Sequence, residues 1–370
     1  MERKRLGDIA TYVNGYPFKP EERGTEGLPI IRIQDLTGNA YDLGYYNGAY
    51  PKRIEINNGD VLISWSASLG VYIWNRGKAL LNQHIFKVVF DKGVVDKQYF
   101  AFAVQHKLME MESKTHGATM KHIVKKDFDN TEIPFPSVER QAEIANTLTK
   151  VKGVIDTRHQ QLTALDHLIK ARFVEMFGEG KYPVEKLGKV CTKITDGTHK
   201  TPNYLESGIT FISAKNIVNG ELDFSNVKFI SEEEYQDIQK RCQTEPMDIL
   251  LSKSGSLGSP VIVRTDEKLG LFESLAVLKY DRDRIIPEFL CEQLKTDRVQ
   301  RQFTTGTKGV AIKHLHLGVI SDTDIIVPSR KEQDAFADFV KQVDKSKVTV
   351  QKALDEAQIL FDSLMQQYFG

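Results

Sequence analysis

The feature that most limits the fold of this chain is an internal repeat. The segment "IPFPSVERQAEIANTL" at 133–148 is matched by "IIVPSRKEQDAFADFV" at 325–340, and both pass from a strand-like run through Pro-Ser into a helix-like pattern. In the same order, "RLGDIATYV" at 5–13 matches "KLGKVCTKI" at 186–194, and "GDVLISWSASLG" at 59–70 matches "MDILLSKSGSLG" at 247–258. A repeat of this length predicts two copies of one unit, 1–178 and 179–370, rather than one continuous domain.

Each copy begins with a segment of mixed strand and helix character. Runs such as "LPIIRIQDL", "ALLNQHIFKVVF" and "LFESLAVLKY" are rich in β-branched and aromatic residues and predict strands. The apolar spacing of Asp96–Glu112 predicts a helix, and a second helix is predicted near Pro287–Phe303. The second copy has an insertion in which Ser231 is followed three residues later by Glu234, a capping box that predicts one extra helix.

Each copy ends in a long helical pattern whose apolar residues recur at intervals of four and three, as in a coiled coil. The two seams are Ile144, Leu148, Val151, Ile155, Arg158, Leu162, Leu165, Ile169, Arg172 and Met176, and Phe336, Val340, Val343, Lys347, Val350, Leu354, Ala357, Phe361, Leu364 and Tyr368. Two such seams in one chain predict an antiparallel coiled coil related by a pseudo-two-fold axis. The alternative is two separate helices, each lying on its own front domain.

The sequence therefore predicts an α+β protein with two tandem α/β domains and two long helices. The expected bounds are 1–137 and 179–329 for the domains, and 138–178 and 330–370 for the helices.

Composition excludes several classes of protein. No apolar run approaches the ~18–20 residues that span a bilayer, so we expect no membrane contact, and no apolar stretch follows the charged start, so we expect no signal peptide. Three well-separated cysteines indicate reduced, packed thiols and a cytoplasmic protein. The net charge of zero counts against a freestanding DNA-binding protein, but not against one whose basic residues share a face.

Sequence motifs for catalysis are scarce. The chain contains no phosphate-binding GxxxxGK[ST] loop, no HExxH zinc motif and no GxSxG nucleophile elbow. We therefore expect no catalytic residue, no metal site and no cofactor on this chain, and a role in recognition rather than in chemistry.

The motifs that recur in order identify a family. The sequence resembles the specificity (S) subunit of type I restriction-modification systems over essentially its full length, in its two-copy layout, in "TDGTHKTP" at 195–202, in "GDVLIS" and "MDILLS", and in "PSVERQAEI" and "PSRKEQDAF". In the first copy "VNGYPFKP" stands where the second has "TDGTHKTP", and it keeps only a Gly and a downstream Pro.

The resemblance implies a non-catalytic subunit of a multi-subunit DNA methyltransferase and restriction endonuclease. Its front parts would be target recognition domains, each reading one half of a bipartite, asymmetric site in double-stranded DNA. Its helices would be spacers that dock two modification (methyltransferase) subunits, with restriction subunits completing the complex. S-adenosylmethionine, ATP and Mg²⁺ would then be bound by the partner subunits.

Candidate DNA-binding residues lie in loops rich in hydroxyl, amide and basic side chains, which can contact bases and phosphates. Equally, these loops could be simple hairpin turns, and "TDGTH" could be a structural turn in which Asp196 fixes Gly197. The candidates are Asn14, Tyr16, Arg32, Gln34, Trp65, Ser66, Ser68, His116, Lys121, Thr198, His199, Lys200, Thr201, Lys215, Asn216, Lys253, Ser254, Ser256, Thr307, Lys308 and Lys313.

Two other functions stay open at this point. The chain could itself be a methyltransferase, although "TPNY" at 201–204 is a poor match to the [DN]PP[YF] motif that such an enzyme needs. It could also be a coiled-coil scaffold whose end domains bind protein. Cofactor binding by the isolated chain would identify the enzyme, and salt-dependent DNA binding with a partner would exclude the scaffold.

Overall fold

The structure is a computed structural model that describes residues 2–38, 42–114, 123–178, 182–304 and 314–370. By its internal contacts the chain divides into two compact units. The first unit comprises Met1–His159 together with Lys352–Gly370, and the second comprises Gln160–Gln351.

The first unit is built on two four-stranded sheets and a strand pair. Its strands are β1 Arg3–Arg5, β2 Thr11–Asn14, β3 Leu28–Ile31, β4 Tyr45–Tyr46, β5 Glu55–Ile56, β6 Val61–Ser64, β7 Gly70–Ile73, β8 Ala79–Leu81, β9 Ile85–Val89 and β10 Glu132–Pro134. The sheets have the orders β2-β9-β6-β7 and β4-β3-β8-β5, and β1 pairs with β10. All pairings are antiparallel except β3 with β8, where Ile30 lies opposite Leu80.

Helices cover these sheets. They are α1 Leu6–Ile9, α2 Ile33–Thr37, α3 Lys97–Lys114 and α4 Lys125–Asp129, with short 3₁₀ turns at Pro20–Glu22 and Lys52–Ile54. The α3 helix buries Tyr99 and Phe100 completely, against a core that includes Ile63 and Phe86 of the first sheet. Removal of such large apolar side chains from water supplies most of the stability of a domain of this size.

The second unit repeats this plan. Its strands are β11 Val184–Lys186, β12 Cys191–Asp196, β13 Ile209–Ile212, β14 Ile217–Val218, β15 Glu221–Leu222, β16 Lys228–Ile230, β17 Ile249–Ser252, β18 Pro260–Ile262, β19 Leu269–Leu271, β20 Leu275–Tyr280 and β21 Asp324–Ile326. Sheet β12-β20-β17-β18 corresponds to β2-β9-β6-β7, pair β11-β21 corresponds to β1-β10, and β13 runs parallel to β19 as β3 does to β8. The shared strand order confirms the internal repeat.

The helices of the second unit include the element predicted from the insertion. They are α6 Leu187–Val190, α7 Glu232–Arg241, α8 Pro287–Leu294, α9 Asp297–Thr304 and α10 Leu317–Ser321, with a 3₁₀ turn at Ala214–Asn216. The hydroxyl of Ser231 accepts a hydrogen bond from the Glu234 backbone N–H at 3.1 Å, which confirms the predicted cap of α7.

Some predicted elements are divided in the structure. The strand predicted to run through Leu36 ends at Ile31, because Asp35 caps the start of α2 by accepting a hydrogen bond from the Arg32 backbone N–H at 2.8 Å. His84, with a φ of 70°, separates β8 from β9 within the single predicted strand. The helix predicted near Pro287–Phe303 is two helices, α8 and α9.

Two 40-residue helices, α5 Val138–Phe177 and α11 Arg330–Phe369, correspond to the predicted long helices. In the second unit Phe173 packs against Phe336 with ring centroids 5.4 Å apart, and Asp166 forms an ion pair with Lys347 at 2.5 Å. From the ion pair to the ring pair, the residue number rises along α5 from 166 to 173 and falls along α11 from 347 to 336. The two helices are therefore antiparallel in this unit. Every residue of the two predicted seams is at least half-buried.

In the first unit the end of α11 joins the core formed by the start of α5 and by α3. Ile144 and Leu148 of α5 belong to the same buried cluster as Met365 and Phe369 of α11. The ring of Phe369 lies 5.3 Å from that of Tyr99 on α3. This unit is thus built from residues at both ends of the sequence.

A glutamine in each copy explains why "PSVERQAEI" and "PSRKEQDAF" are so similar. Gln141 is fully buried, accepts a hydrogen bond from the Asp96 N–H at 3.0 Å and donates one to the Pro136 carbonyl at 2.9 Å. Gln333 makes the equivalent bonds to the Ile286 N–H and the Pro328 carbonyl, both at 3.0 Å. Each side chain fixes the first turn of a long helix onto its own domain.

None of the helices formed by the described residues is both long enough and apolar enough to span a membrane.

Candidate nucleic-acid interface

The loop that follows β2 in the first domain has the same backbone hydrogen bonds as the loop that follows β12 in the second. The Tyr16 N–H donates to the Leu81 carbonyl, and the Thr198 N–H donates to the Leu271 carbonyl, both at 2.9 Å. The residue before each is a glycine, and a Cβ on Gly197 would lie 2.1 Å from the Leu271 carbonyl oxygen. These contacts make Asn14 equivalent to Asp196 and Tyr16 equivalent to Thr198.

A second pair of loops, after β6 and β17, also shares one geometry. The Trp65 N–H donates to the His84 carbonyl at 3.3 Å, and the Lys253 N–H donates to the Ser274 carbonyl at 2.7 Å. The next-but-one residues, Ala67 and Gly255, have φ values of 60° and 70°. Trp65 and Lys253 therefore occupy equivalent positions, as the sequence alignment predicts, on two tight turns.

Side chains at these equivalent positions differ in chemistry. Trp65 stacks on Phe86 with ring centroids 5.4 Å apart and interplanar angle 20°. Lys253 is instead buried and donates a hydrogen bond from its Nζ to the Asp196 carboxylate. One backbone arrangement thus carries an aromatic stack in the first domain and an ion pair in the second.

The third predicted region, at Arg32 and Gln34 and at Lys215 and Asn216, starts a short helical segment in each domain. Arg32 is buried, and its Nε donates to Asp35 Oδ2 at 2.9 Å, a hydrogen bond that raises the pKa of the guanidinium. Asn216 is also buried, and its Oδ1 accepts from the Ser213 N–H at 3.0 Å. Gln34 and Lys215 are exposed beside them.

In the second domain these loops surround a cleft of about 800 Å³. Four candidates predicted from the sequence line it together: Lys215, Asn216, Ser254 and Ser256. The sequence analysis did not single out three aromatic residues and one lysine that also line the cleft: Tyr204, Phe211, Phe272 and Lys228. Their signal is weak in the sequence. Lys228 Nζ lies 5.9 Å from the centroid of the Tyr204 ring because Leu205 and Phe229, which are far apart in the sequence, form a β-bridge.

Beside this cleft, Asp196 is the centre of a buried charge cluster. Only 2% of Asp196 is exposed, and its carboxylate accepts hydrogen bonds from Lys253 and from Arg241 of α7. His199 Nε2 lies 3.3 Å from Asp196 Oδ2, and His199 Nδ1 lies 2.6 Å from Glu273 Oε2. Burial opposes ionisation of Asp196, but Lys253, Arg241 and His199 outweigh it and lower its pKa.

The charge cluster bears on the interpretation of "TDGTH" as a structural turn fixed by Asp196. The local turn is made by Thr198, whose hydroxyl accepts a hydrogen bond from the Lys200 N–H at 3.1 Å. The Asp196 carboxylate points into the charge cluster, so the interpretation of Asp196 as the residue that fixes the turn is wrong.

The remaining candidates are placed individually. Asn14, Ser68, Lys200 and Thr201 are exposed, Tyr16 and Thr198 are half-buried, and Ser66 is buried. His116, Lys121, Thr307, Lys308 and Lys313 lie outside the described residues. The described residues contain no group of three or more histidine, cysteine or acidic side chains that could hold a metal ion.

Comparison with known proteins gives one consistent result. The model of the "Type I restriction modification DNA specificity domain" family matches residues 1–167 and again 180–358. The Escherichia coli type I restriction enzyme EcoBI specificity subunit is 25% identical over 98% of this chain and 83% of its own length. The MjaVIII specificity subunit of Methanocaldococcus jannaschii is 23% identical over 94% of this chain and 89% of its own length.

Among solved structures, the S subunit of a type I restriction-modification system from M. genitalium is similar in fold. It aligns with a TM-score of 0.54 and 16% sequence identity, over 100% of this chain and 96% of that one.

Proposed function

Because this chain belongs to the family of type I restriction modification DNA specificity proteins, we propose that it is the subunit that selects the DNA sequence on which such a complex acts. The relatives that match it over nearly its whole length are specificity subunits, and they support a recognition role without catalysis by this chain. Each of its two domains would read one half of a bipartite, asymmetric target.

The observation that carries this proposal is the pair of domains with one backbone frame and different side chains. Asn14, Tyr16 and Trp65 in the first domain are replaced by Asp196, Thr198 and Lys253 in the second. Direct readout of bases depends on the donors and acceptors that a rigid frame presents. Two equal frames with unlike side chains therefore favour two unlike half-sites over a palindrome.

The cleft of the second domain suits base readout better than nonspecific binding. Lys215 and Lys228 supply positive charge, while Ser254 and Ser256 supply hydroxyls that both donate and accept hydrogen bonds. The aromatic side chains Tyr204 and Phe272 give the cleft an apolar wall. Charge confined to such sites is compatible with a net charge of zero for the whole chain.

The long helices would dock the catalytic partners. Each unit exposes large apolar side chains on its parts of α5 and α11, and such side chains can pack against a protein partner. They are Val154, Ile359 and Leu360 in the first unit, and Leu168, Val174 and Val348 in the second. We propose that two modification subunits bind these surfaces, that restriction subunits join them, and that S-adenosylmethionine, ATP and Mg²⁺ belong to those partners.

The decisive experiment maps methylated adenines in a host that expresses this chain with its modification partner. We expect one asymmetric motif in two short parts separated by an unread gap. A continuous palindrome, or no sequence preference, would contradict the proposal. The purified chain should also bind no S-adenosylmethionine, since cofactor binding would instead favour a methyltransferase.

A further inference from the structure

The second domain contains a helix, α7, at a place where the first domain has a short turn. In the first domain β5 leads through the turn at Asn57–Asp60 directly into β6, whereas α7 lies between β16 and β17 in the second. Tyr235 and Ile238 of α7 are buried in the core of the domain, and the Cys242 N–H bonds the Ile238 carbonyl at 2.8 Å. The last turn of α7 is therefore rigidly placed.

This last turn lies against the loop that follows β12. The two segments line a cavity of about 180 Å³, with Thr198 and Lys200 from the loop and Asp237 and Arg241 from the helix. Lys193 of β12 also donates from its Nζ to the Arg241 carbonyl at 2.8 Å. The insertion thus meets the loop whose side chains differ from those of the first domain.

Arg241 is held at one edge and accessible at the other. Its Nη2 donates to Asp196 Oδ1 and lies 3.3 Å from His199 Nε2, while 55% of its side chain is exposed. Within the described part of the chain, the contacts of the guanidinium all run through Nη2. A guanidinium carries five N–H donors, so those on Nε and Nη1 remain for a ligand. They point in different directions, so each of them can meet one acceptor.

The fold does not need this buried charge. At the equivalent positions the first domain has Asn14 and Trp65, and it keeps the same backbone hydrogen bonds without an ion pair. A buried ion pair commonly adds little stability over an apolar replacement of similar volume. What Asp196 provides in the second domain is a fixed orientation for the side chains that surround it.

We propose that Arg241 reads a base in the half-site of the second domain, and that Asp196 is the positioning residue that orients its guanidinium. The base would be a guanine, whose major-groove edge offers the acceptors O6 and N7, and one of these would accept a hydrogen bond from Nε or Nη1. This inference rests on the proposed function. A contact with phosphate would gain little from so rigid a guanidinium, because phosphate recognition tolerates a flexible lysine.

The test uses the full chain in complex with its modification partner, and compares Arg241→Ala and Arg241→Lys with Lys240→Ala. Lys240 is the adjacent residue and is exposed, and among the residues that the structure describes it pairs only with Asp237 on the same helix turn, so it is a matched control. We expect both Arg241 variants to lose discrimination at a single base pair by about 5- to 150-fold, with the other half-site read unchanged. Lys240→Ala should keep the full discrimination.

The role of Asp196 is tested by comparing Lys253→Met with the double variant Asp196→Asn, Lys253→Met. Neither leaves a lysine buried without its partner, so both should fold, and circular dichroism and thermal melting check this. Discrimination at the same base pair should be lower in the double variant than in Lys253→Met. Equal discrimination would exclude Asp196 as a positioning residue.

Two results would overturn the assignment of Arg241. In the first, the Arg241 variants bind all DNA sequences more weakly by the same factor, and the slope of affinity against salt concentration falls by about one phosphate contact. Arg241 would then be a phosphate ligand. Unchanged binding would exclude it from the interface. Failure of the proposed function looks different, because then the unmodified complex would itself read no bipartite site.

Discussion

The three thiols of the chain are packed among apolar side chains. Cys242 and Cys291 are buried, Cys191 is half-buried, and none forms a disulfide. Burial raises the pKa of each to about 12. The structure thus shows the packing expected for the three thiols, whereas their reduced state stays a prediction.

These thiols should react slowly while the protein is folded. A rise in pKa from 9.0 to about 12 lowers the fraction of reactive thiolate at pH 8 by about a thousandfold. We expect little labelling by Ellman's reagent in the native protein, and three equivalents after unfolding in guanidinium chloride. Rapid labelling of one native thiol would contradict the packing described here.

Arg32 and Asp35 give a second prediction, because Ser213 and Asn216 replace them in the equivalent turn. Asp35→Ala removes both the cap of α2 and one of two acidic partners of the buried Arg32 guanidinium, the other being Asp42, and should lower the stability of the first unit by roughly 3 kcal/mol. The double change Arg32→Ser, Asp35→Asn copies the second domain and should cost less. Thermal melting of the unmodified protein and of the two variants measures these losses of stability. An equal loss in both variants would contradict this account.

The long helices were the elements most completely predictable, because a heptad pattern is local and periodic. Their predicted bounds agree with Val138–Phe177 and Arg330–Phe369 to within one residue. The pattern did not reveal the residues that attach each helix to its domain. Phe177 packs on Phe289 of α8 at 4.9 Å, a contact between residues far apart in sequence that no helical period encodes.

Gly153 interrupts the helical pattern, yet α5 is continuous through it. A Cβ placed there would meet no atom within 4 Å, so Gly153→Ala should raise the stability of the first unit by up to ~1 kcal/mol. Gly178→Ala is the matched control, because its Cβ would lie 2.5 Å from the Val174 carbonyl oxygen, and it should lower stability. Denaturant midpoints measure both, and destabilisation by Gly153→Ala would show that the glycine has a packing role.

The duplication was readable from sequence because equal motifs recur in equal order. The residues of the proposed DNA interface could be predicted from the sequence only in part. Lys215, Asn216, Ser254 and Ser256 stand out as polar residues in loops, and the structure brings them together. Arg241 did not stand out, because the orientation of its side chain depends on Asp196, 45 residues earlier, and on a strand pairing that the chain order does not reveal.

The division of the chain predicts how recognition domains can be exchanged. Replacing Arg5–Ser137 with the corresponding segment of a relative should change one half of the DNA target and leave the other half unchanged. Such a chimera would still pair a foreign α3 with the native Phe361 and Phe369, which pack on Phe102 and Tyr99. Exchanging Lys352–Gly370 as well should therefore raise its melting temperature. Methylation mapping checks the target, and a change in both halves would refute independent reading.

The composition of the first unit has a consequence for synthesis on the ribosome. Residues up to His159 emerge early, but Phe369, which covers Tyr99, is added only after all of Gln160–Gln351. At about 5 to 20 residues per second, translation of that intervening stretch takes roughly 10 to 40 s. During this interval the nascent first unit has an uncovered aromatic surface, whereas the second unit is translated as one uninterrupted stretch. The domain made first is thus the domain finished last, and a premature stop codon between Gln351 and Phe369 would damage the half-site reader encoded at the opposite end of the gene.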